Sequence, residues 1–242
     1  MSFIQAIILS FVQGIAEFLP ISSSGHLNLA QYFFRLTPSL TLDIFLNTAT
    51  FISVLFFFRK QLKYFFKNLK FIIVASIPAA LVGILLKDQI DSIFSNINLL
   101  SFFFILTSIF VFSTKFFSQK DIRLDYKKAI IIGFFQAIAI LPGVSRAGAT
   151  IFAGLLLGLA PLEAFNFSFC LFIPASLGAI VLSAKDLSSF GILNQEYLIA
   201  FVATFIVGII ALNILKKVLI SHKFWIFGIY TFILAISLFF IL

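Results

Sequence analysis

Apolar runs long enough to cross a hydrocarbon layer of about 30 Å recur from one end of this chain to the other, and no other feature constrains its fold as strongly. Inside a bilayer every backbone N–H and C=O must be paired within the protein, which leaves helices and closed barrels. The runs are continuous rather than alternating, which excludes a barrel and predicts an all-α integral membrane protein, a polytopic helical bundle. Of 242 residues, 62% are hydrophobic and 11% charged, with a mean hydropathy of +1.16, more apolar than a water-soluble core of this size requires. The net charge of +8 does not point to nucleic acid, because the basic residues lie in short loops between apolar runs, where they report topology. The first run has no basic residue ahead of it and carries Glu17, so it is expected to be retained rather than removed as a signal peptide. A single cysteine, Cys170, excludes an internal disulfide and a thiolate metal cluster. The 36 phenylalanines are expected to be mostly lipid-facing bulk with no site role.

Residues 3–19 form a helical run ending at Pro20, and 21–34 is too short and hydroxyl-rich to span, so a re-entrant segment capped by Ser22 is expected. About six full spans are expected, among them 40–58, 97–117, 162–183, 195–215 and 224–241. The segment from Arg59 to Lys70 holds five cations and no anion, whereas Lys87 to Asp91 is net negative, which places the first in the cytoplasm and the second outside. A second basic cluster, Lys115, Lys120, Arg123, Lys127 and Lys128, is diluted only by Asp121 and Asp125 and is also expected in the cytoplasm. A half-length run, 129–141, then breaks at Pro142-Gly143, and a second short run, 151–160, completes a second re-entrant hairpin. The turn from Lys185 to Glu196 is nearly balanced in charge.

Residues 11–25 align without a gap on 134–148, matching Phe11/Phe134, Gln13/Gln136, Ile15/Ile138, Ala16/Ala139, Ser22/Ser145 and Gly25/Gly148. Farther on, Ser76 to Gly83 is echoed by Phe172 to Gly178 around Pro78 and Pro174, in the same order relative to each motif. The chain therefore reads as a single membrane domain over 1–242, with repeat one at about 1–117, a basic cytoplasmic loop at 118–128 and repeat two at about 129–242. Loop charges give the halves opposite orientation, the plan in which broken helices from inverted repeats meet near the midplane. Both motifs should converge on one pocket.

The chemistry of that pocket follows from its residue types. Half-helices starting at Ser22 and Ser145 would aim free N–H groups and positive dipole ends at an anion. Gly25, Gly143 and Gly148 allow close backbone approach, and Ser24, Ser145 and Thr150 add hydroxyls. Arg146 offers the planar fork that matches phosphate oxygens. Glu17 can hold a divalent cation with Gln13, one turn earlier on the same face, or act as a base. Ser23 is a candidate nucleophile, and His26 is the nearest group able to exchange a proton near neutral pH. Together these are the parts for phosphoryl transfer. The plainer readings are hydroxyls that only cap and pack helices, a hydrogen-bonded His26, and a structural ion pair between Glu17 and Arg146. Asp43 can face the pocket from outside, and Glu163 follows Pro161 at a helix start, where a carboxylate is favourable anyway.

At these residues the sequence resembles the bacterial undecaprenyl-diphosphate phosphatases of the membrane-embedded, bacitracin-resistance type. Their two signatures stand here as Gln13 to Glu17 running into Pro20 to His26, and as Pro142 to Thr150, and the likeness covers essentially the whole chain. It implies a phosphatase that removes the terminal phosphate of a polyprenyl diphosphate carrier, depends on a divalent cation (Mg²⁺, with Ca²⁺ an option), and sits in the inner membrane with its site open to the periplasm. By the same likeness Glu17 is the essential acidic residue, Ser23 the nucleophile, His26 the motif histidine and Arg146 the phosphate-binding arginine. Ser22, Ser24, Gly143, Ser145 and Thr150 are then phosphate-binding, and Glu17 with Gln13 metal-binding. The partners are the lipid substrate and the membrane, with no nucleic acid; a homodimer is left open. Two departures stand out: Gln13 occupies a position that is glutamate in many members, and Ala147 replaces a serine. The alternative on the same scaffold is a lipid transporter or flippase, which needs an anion site but no nucleophile.

Overall fold

The computed structural model describes residues 2–36, 40–94, 96–118, 120–183 and 195–241. The turn from Lys185 lies outside them apart from Gln195 and Glu196, as do the side chains of Lys87, Asp88 and Asp91. Within this range the helices are α1 (Phe3–Ala16), α2 (Ser23–Phe33), α3 (Leu40–Phe58), α4 (Leu62–Lys67), α5 (Leu69–Leu85), α6 (Lys87–Phe94), α7 (Leu100–Ser113), α8 (Tyr126–Ile138), α9 (Arg146–Leu156), α10 (Pro161–Leu182), α11 (Gln195–Ile220) and α12 (Ile226–Ile241). Four segments, Leu42–Lys67, Ile97–Phe116, Pro161–Leu182 and Gln195–Ile220, are long and apolar enough to cross a membrane, and α5 and α12 are the next longest apolar helices. At about 1.5 Å per residue the 14 residues of α1 and the 11 of α2 and of α9 fall short of a bilayer, which agrees with hairpins rather than spans.

Packing exchanges the two halves. α1 lies along α11 and α8 along α5; α3 packs on α11 and α10 on α5; α7 pairs with α12. Adding 123 to the positions of α1, α3, α5 and α7 lands on α8, α10, α11 and α12, so each contact is the image of another under that shift. This corrects one expected correspondence. Pro78 lies in α5 and Pro174 in α10, which the repeat pairs with α11 and α3, so the two proline segments are not equivalent positions. They are related in space instead: both line the cavity described below.

Lipid chains are as apolar as leucine, so burial from water contributes little to helix association, and close packing and interhelical hydrogen bonds carry it. Ser53 donates to the Phe205 carbonyl at 3.0 Å, Thr204 to the Ser10 carbonyl at 3.3 Å and Ser108 to the Gly228 carbonyl at 2.8 Å, tying α3 to α11, α11 to α1 and α7 to α12. The α5–α8 contact is tight at Gly133, where an added Cβ would stand 2.4 Å from the Ala75 carbonyl oxygen. Gly133→Ala is therefore expected to destabilise the protein by about 1–3 kcal/mol, read as a lower unfolding midpoint in detergent. Gly178→Ala, whose Cβ would meet nothing within 4 Å, should leave the midpoint unchanged.

The phenylalanines are not mainly lipid-facing filler. Phe18, Phe58, Phe165, Phe169 and Phe172 are buried in one cluster with ring centroids 4.9–6.2 Å apart, because repeated crossing of short helices leaves gaps that flat rings fill. Cys170 is buried in the same cluster. On the basic face Asp125 caps α8 by accepting from the Lys128 N–H at 2.9 Å. Hydrogen bonding from the Lys128 side chain holds its carboxyl below the ordinary value.

Candidate active site

The two breaks in the repeats, at 17–22 and 139–145, bring the two motifs together. Ser22 and Ser145 cap their half-helices in the same way, each hydroxyl accepting from the N–H three residues on, Gly25 at 3.4 Å and Gly148 at 3.0 Å. The first residues inside those helices, Ser23 and Arg146, are 123 positions apart and so repeat-equivalent. Glu17 caps the C-terminal end of α1; its counterpart by the same spacing is Ile140. A shared backbone plan thus carries three different side chains where the chemistry is.

Glu17 is the centre. It is 6% exposed, accepts the Ser23 hydroxyl on Oε2 at 2.5 Å and the Gln13 amide on the same oxygen at 3.1 Å, and pairs through Oε1 with the Arg146 guanidinium. Arg146 also stacks over the Phe172 ring, with Cζ 3.9 Å from the centroid. Neither charge is placed for helix stability: a carboxylate at a helix C-terminus and a guanidinium at an N-terminus each oppose the macrodipole. They are held by each other. With Glu17 as the only acidic residue among the described residues lining the site, two helix N-termini and Arg146 leave a positive site for an incoming anion.

The site opens into a cavity of about 580 Å³, within the range of small-molecule pockets. Its polar lining comes from Glu17, Ser22, Ser23, Ser24, Asn47, Ser76, Gln136, Ser145, Arg146 and Ser176. Its apolar lining includes Ala79, Gly83 and Ile84 of α5, Ile140, and Ala175, Gly178, Ala179 and Leu182 of α10, so it follows the C-terminal halves of both helices to their ends.

Four expected site residues do not line this cavity: Gln13, buried one turn before Glu17 on α1, and His26, Gly143 and Thr150. His26 turns the other way: Nδ1 is 2.8 Å from the Ser22 carbonyl, Nε2 is 2.8 Å from the Tyr230 hydroxyl, and the ring stacks on Tyr230. It anchors the start of α2 to α12, and the proton acceptor in contact with Ser23 is Glu17. Thr150 is 1% exposed and spends its hydroxyl on the Arg146 carbonyl at 2.8 Å and on Ser168 at 2.6 Å. Gly143 shapes the loop, with φ +91° and its carbonyl taken by Thr107 at 2.8 Å; Thr107 in turn accepts the Ser145 N–H at 3.0 Å. Ser22 holds φ +71°, a backbone region costly for a side chain and tolerated where surrounding contacts impose it. The sequence reading gave no site role to Thr107, Tyr230 or Phe172; Phe172 stood only at the start of the segment likened to Ser76 to Gly83, and nothing in the local sequence marks the other two.

These features have a counterpart among known proteins. The family described as Bacitracin resistance protein BacA matches residues 6–237. The chain belongs to this family. Relatives named undecaprenyl-diphosphatase include one from Thermosipho africanus, 40% identical over 97% of this chain and 98% of its own length, and one from Methanococcus vannielii, 38% identical over 98% and 99%. An undecaprenyl-diphosphatase 2 from Bacillus thuringiensis is 33% identical over 96% and 95%. The chain is a multi-pass membrane protein of that family, with several helices long enough to span.

The family resemblance carries an expectation of a divalent cation. Among the described residues no three His, Cys, Asp or Glu side chains cluster. Mg²⁺ needs no such cluster when substrate phosphates complete its shell, and it takes hard oxygens. Gln13 Oε1 is a buried amide oxygen with no partner among the described residues, on the turn before Glu17. One carboxylate on the cavity wall and one buried amide oxygen a turn before it are the hard donors such an ion takes.

Proposed function

We propose that this chain hydrolyses undecaprenyl diphosphate to undecaprenyl phosphate and inorganic phosphate, returning the lipid carrier to cell-wall synthesis. The observation that carries the reading is the Glu17 carboxylate held between the Ser23 hydroxyl at 2.5 Å and the Arg146 guanidinium of the other repeat. A carrier of the same lipid needs an anion site but no hydroxyl bonded to a base, so this contact favours hydrolysis over transport.

In the mechanism, the terminal phosphate takes Arg146 from Glu17, which frees the carboxylate as a base. Ser23 Oγ attacks the terminal phosphorus while its proton passes to Glu17. The P–O bond to the inner phosphate breaks, undecaprenyl phosphate leaves with the electron pair, and Glu17 passes the proton to it. Water then attacks the phosphoserine, giving a proton to Glu17, which returns it to Ser23 as phosphate departs. Arg146 and the N–H groups of α2 and α9 hold the equatorial oxygens throughout. A divalent cation held by Glu17 and Gln13 would add neutralisation of phosphate charge when bound.

The orientation belongs to the same proposal. The cavity follows α5 and α10 toward the ends that lie away from the basic stretch at 59–70 and from Gly158, whose carbonyl accepts the Ile122 N–H of the basic loop. Basic loops favour the cytoplasm, which supports an inner-membrane enzyme with its mouth toward the periplasm.

The test is phosphate release from undecaprenyl diphosphate by the purified protein in detergent, with Mg²⁺ or EDTA. Ser23→Ala is expected to lower kcat by about 10³-fold or more, and wild-type enzyme quenched during turnover should carry phosphate on Ser23. Folded wild-type protein that releases no phosphate would refute the reading. Turnover without a labelled Ser23 would transfer the nucleophile's role to water.

A further inference from the structure

Among the polar side chains of the cavity that the mechanism leaves unused, Gln136 is the one with both amide atoms buried and unpaired among the described residues. Gln136 on α8 is 3% exposed and lines the cavity, and neither its Nε2 nor its Oε1 has a hydrogen-bond partner among the described residues. Buried carboxamides are almost always paired, because an unmade hydrogen bond costs the full desolvation of the group. Its repeat counterpart shows how the amide came to be free. Gln13 donates to Glu17 four residues on at 3.1 Å, whereas four residues after Gln136 stands Ile140, which can accept nothing. The change from glutamate to isoleucine also removes a negative charge that would repel a phosphate at that side of the cavity.

The position narrows the ligand. Ala139, the C-cap of α8, and Ile140 just beyond it follow Gln136 and belong to the cavity wall that continues along Gly83 and Ile84 of α5. Arg146, Ser23 and the ends of α2 and α9 serve the terminal phosphate, and the apolar wall suits an isoprenoid. What joins those two parts of the ligand is the inner phosphate.

We propose that Gln136 binds the inner, lipid-linked phosphate, its amide N–H₂ donating to a non-bridging oxygen. The proposal rests on the diphosphatase reading. A neutral donor fits this role: it meets the charge that grows on the departing phosphate without holding the product as a second arginine would.

The experiment compares wild type with Gln136→Leu, a swap of similar size. Binding of methylenediphosphonate and of orthophosphate is measured by calorimetry in detergent, together with the unfolding midpoint of the unliganded protein. Q136L is expected to weaken the diphosphonate by about tenfold or more, to leave orthophosphate unchanged, and to hold or raise the midpoint, since it removes two unpaired polar atoms. Gln136→Asn, which keeps the amide on a shorter arm, should fall between the two. Equal weakening of both anions, no weakening of either, or a lower midpoint in Q136L would each overturn the assignment. Failure of the wild type to hydrolyse undecaprenyl diphosphate would overturn the underlying reading instead, and that assay is separate from the binding measurement.

Discussion

Glu17→Gln is expected to lower kcat on undecaprenyl diphosphate by about 10³-fold while leaving the protein folded and membrane-extractable. The amide has the carboxylate's shape, so it can still accept the Ser23 hydroxyl, but it cannot take the proton that must leave Oγ as the bond to phosphorus forms. Among the described residues lining the cavity there is no other Asp, Glu or His. His26, the one other candidate suggested by the motif, is occupied by the Ser22 carbonyl and the Tyr230 hydroxyl. KM should change less than kcat, because Arg146 and the half-helix ends still hold the phosphate. Steady-state phosphate release decides the matter: a variant within about tenfold of wild type would mean that Ser23 does not depend on Glu17.

Arg146→Ala should do two things at once. It removes the guanidinium that holds the terminal phosphate, a loss of about 10²–10³-fold or more in kcat/KM. It also strands the Glu17 carboxylate, 6% exposed, without a countercharge, which typically destabilises by about 3–5 kcal/mol. The double variant Glu17→Gln/Arg146→Gln separates the effects, since it leaves no buried charge: its unfolding midpoint should recover toward wild type while activity stays lost. Arg146→Lys should keep the charge but lose both the planar fork and the stack over Phe172. A single R146A as stable as wild type would show that the pair carries no net stabilisation.

Much of this was legible in the chain itself. Glu17, Ser23 and Arg146 stood out because polar groups at membrane depth are costly and these stand within the two copies of one motif. The cavity brings those three together with Ser22, Ser24 and Ser145. What misled was treating motif membership as equivalent to facing the pocket. His26 and Thr150 share half-helices with Ser23 and Arg146, yet their side chains are claimed by Tyr230, 204 residues away, and by Ser168. The likeness of the Pro78 and Pro174 segments suggested repeat equivalence, although they come from helices that the repeat does not pair.

The sequence by itself determined the helical membrane fold, the duplication and the polar centre. Each of these follows from local rules: backbone satisfaction in lipid, hydropathy over a helix length, and the cost of charge out of water. Only the tertiary structure decided which side chains meet. Glu17 and Arg146 are 129 positions apart, and whether each hydroxyl or amide is spent on a neighbour or left for a ligand depends on contacts across helices. Gln13 and Gln136 make the point at one aligned position. The same amide is tied to Glu17 in one repeat and left unpaired in the cavity wall of the other, where Ile140 stands in the carboxylate's place.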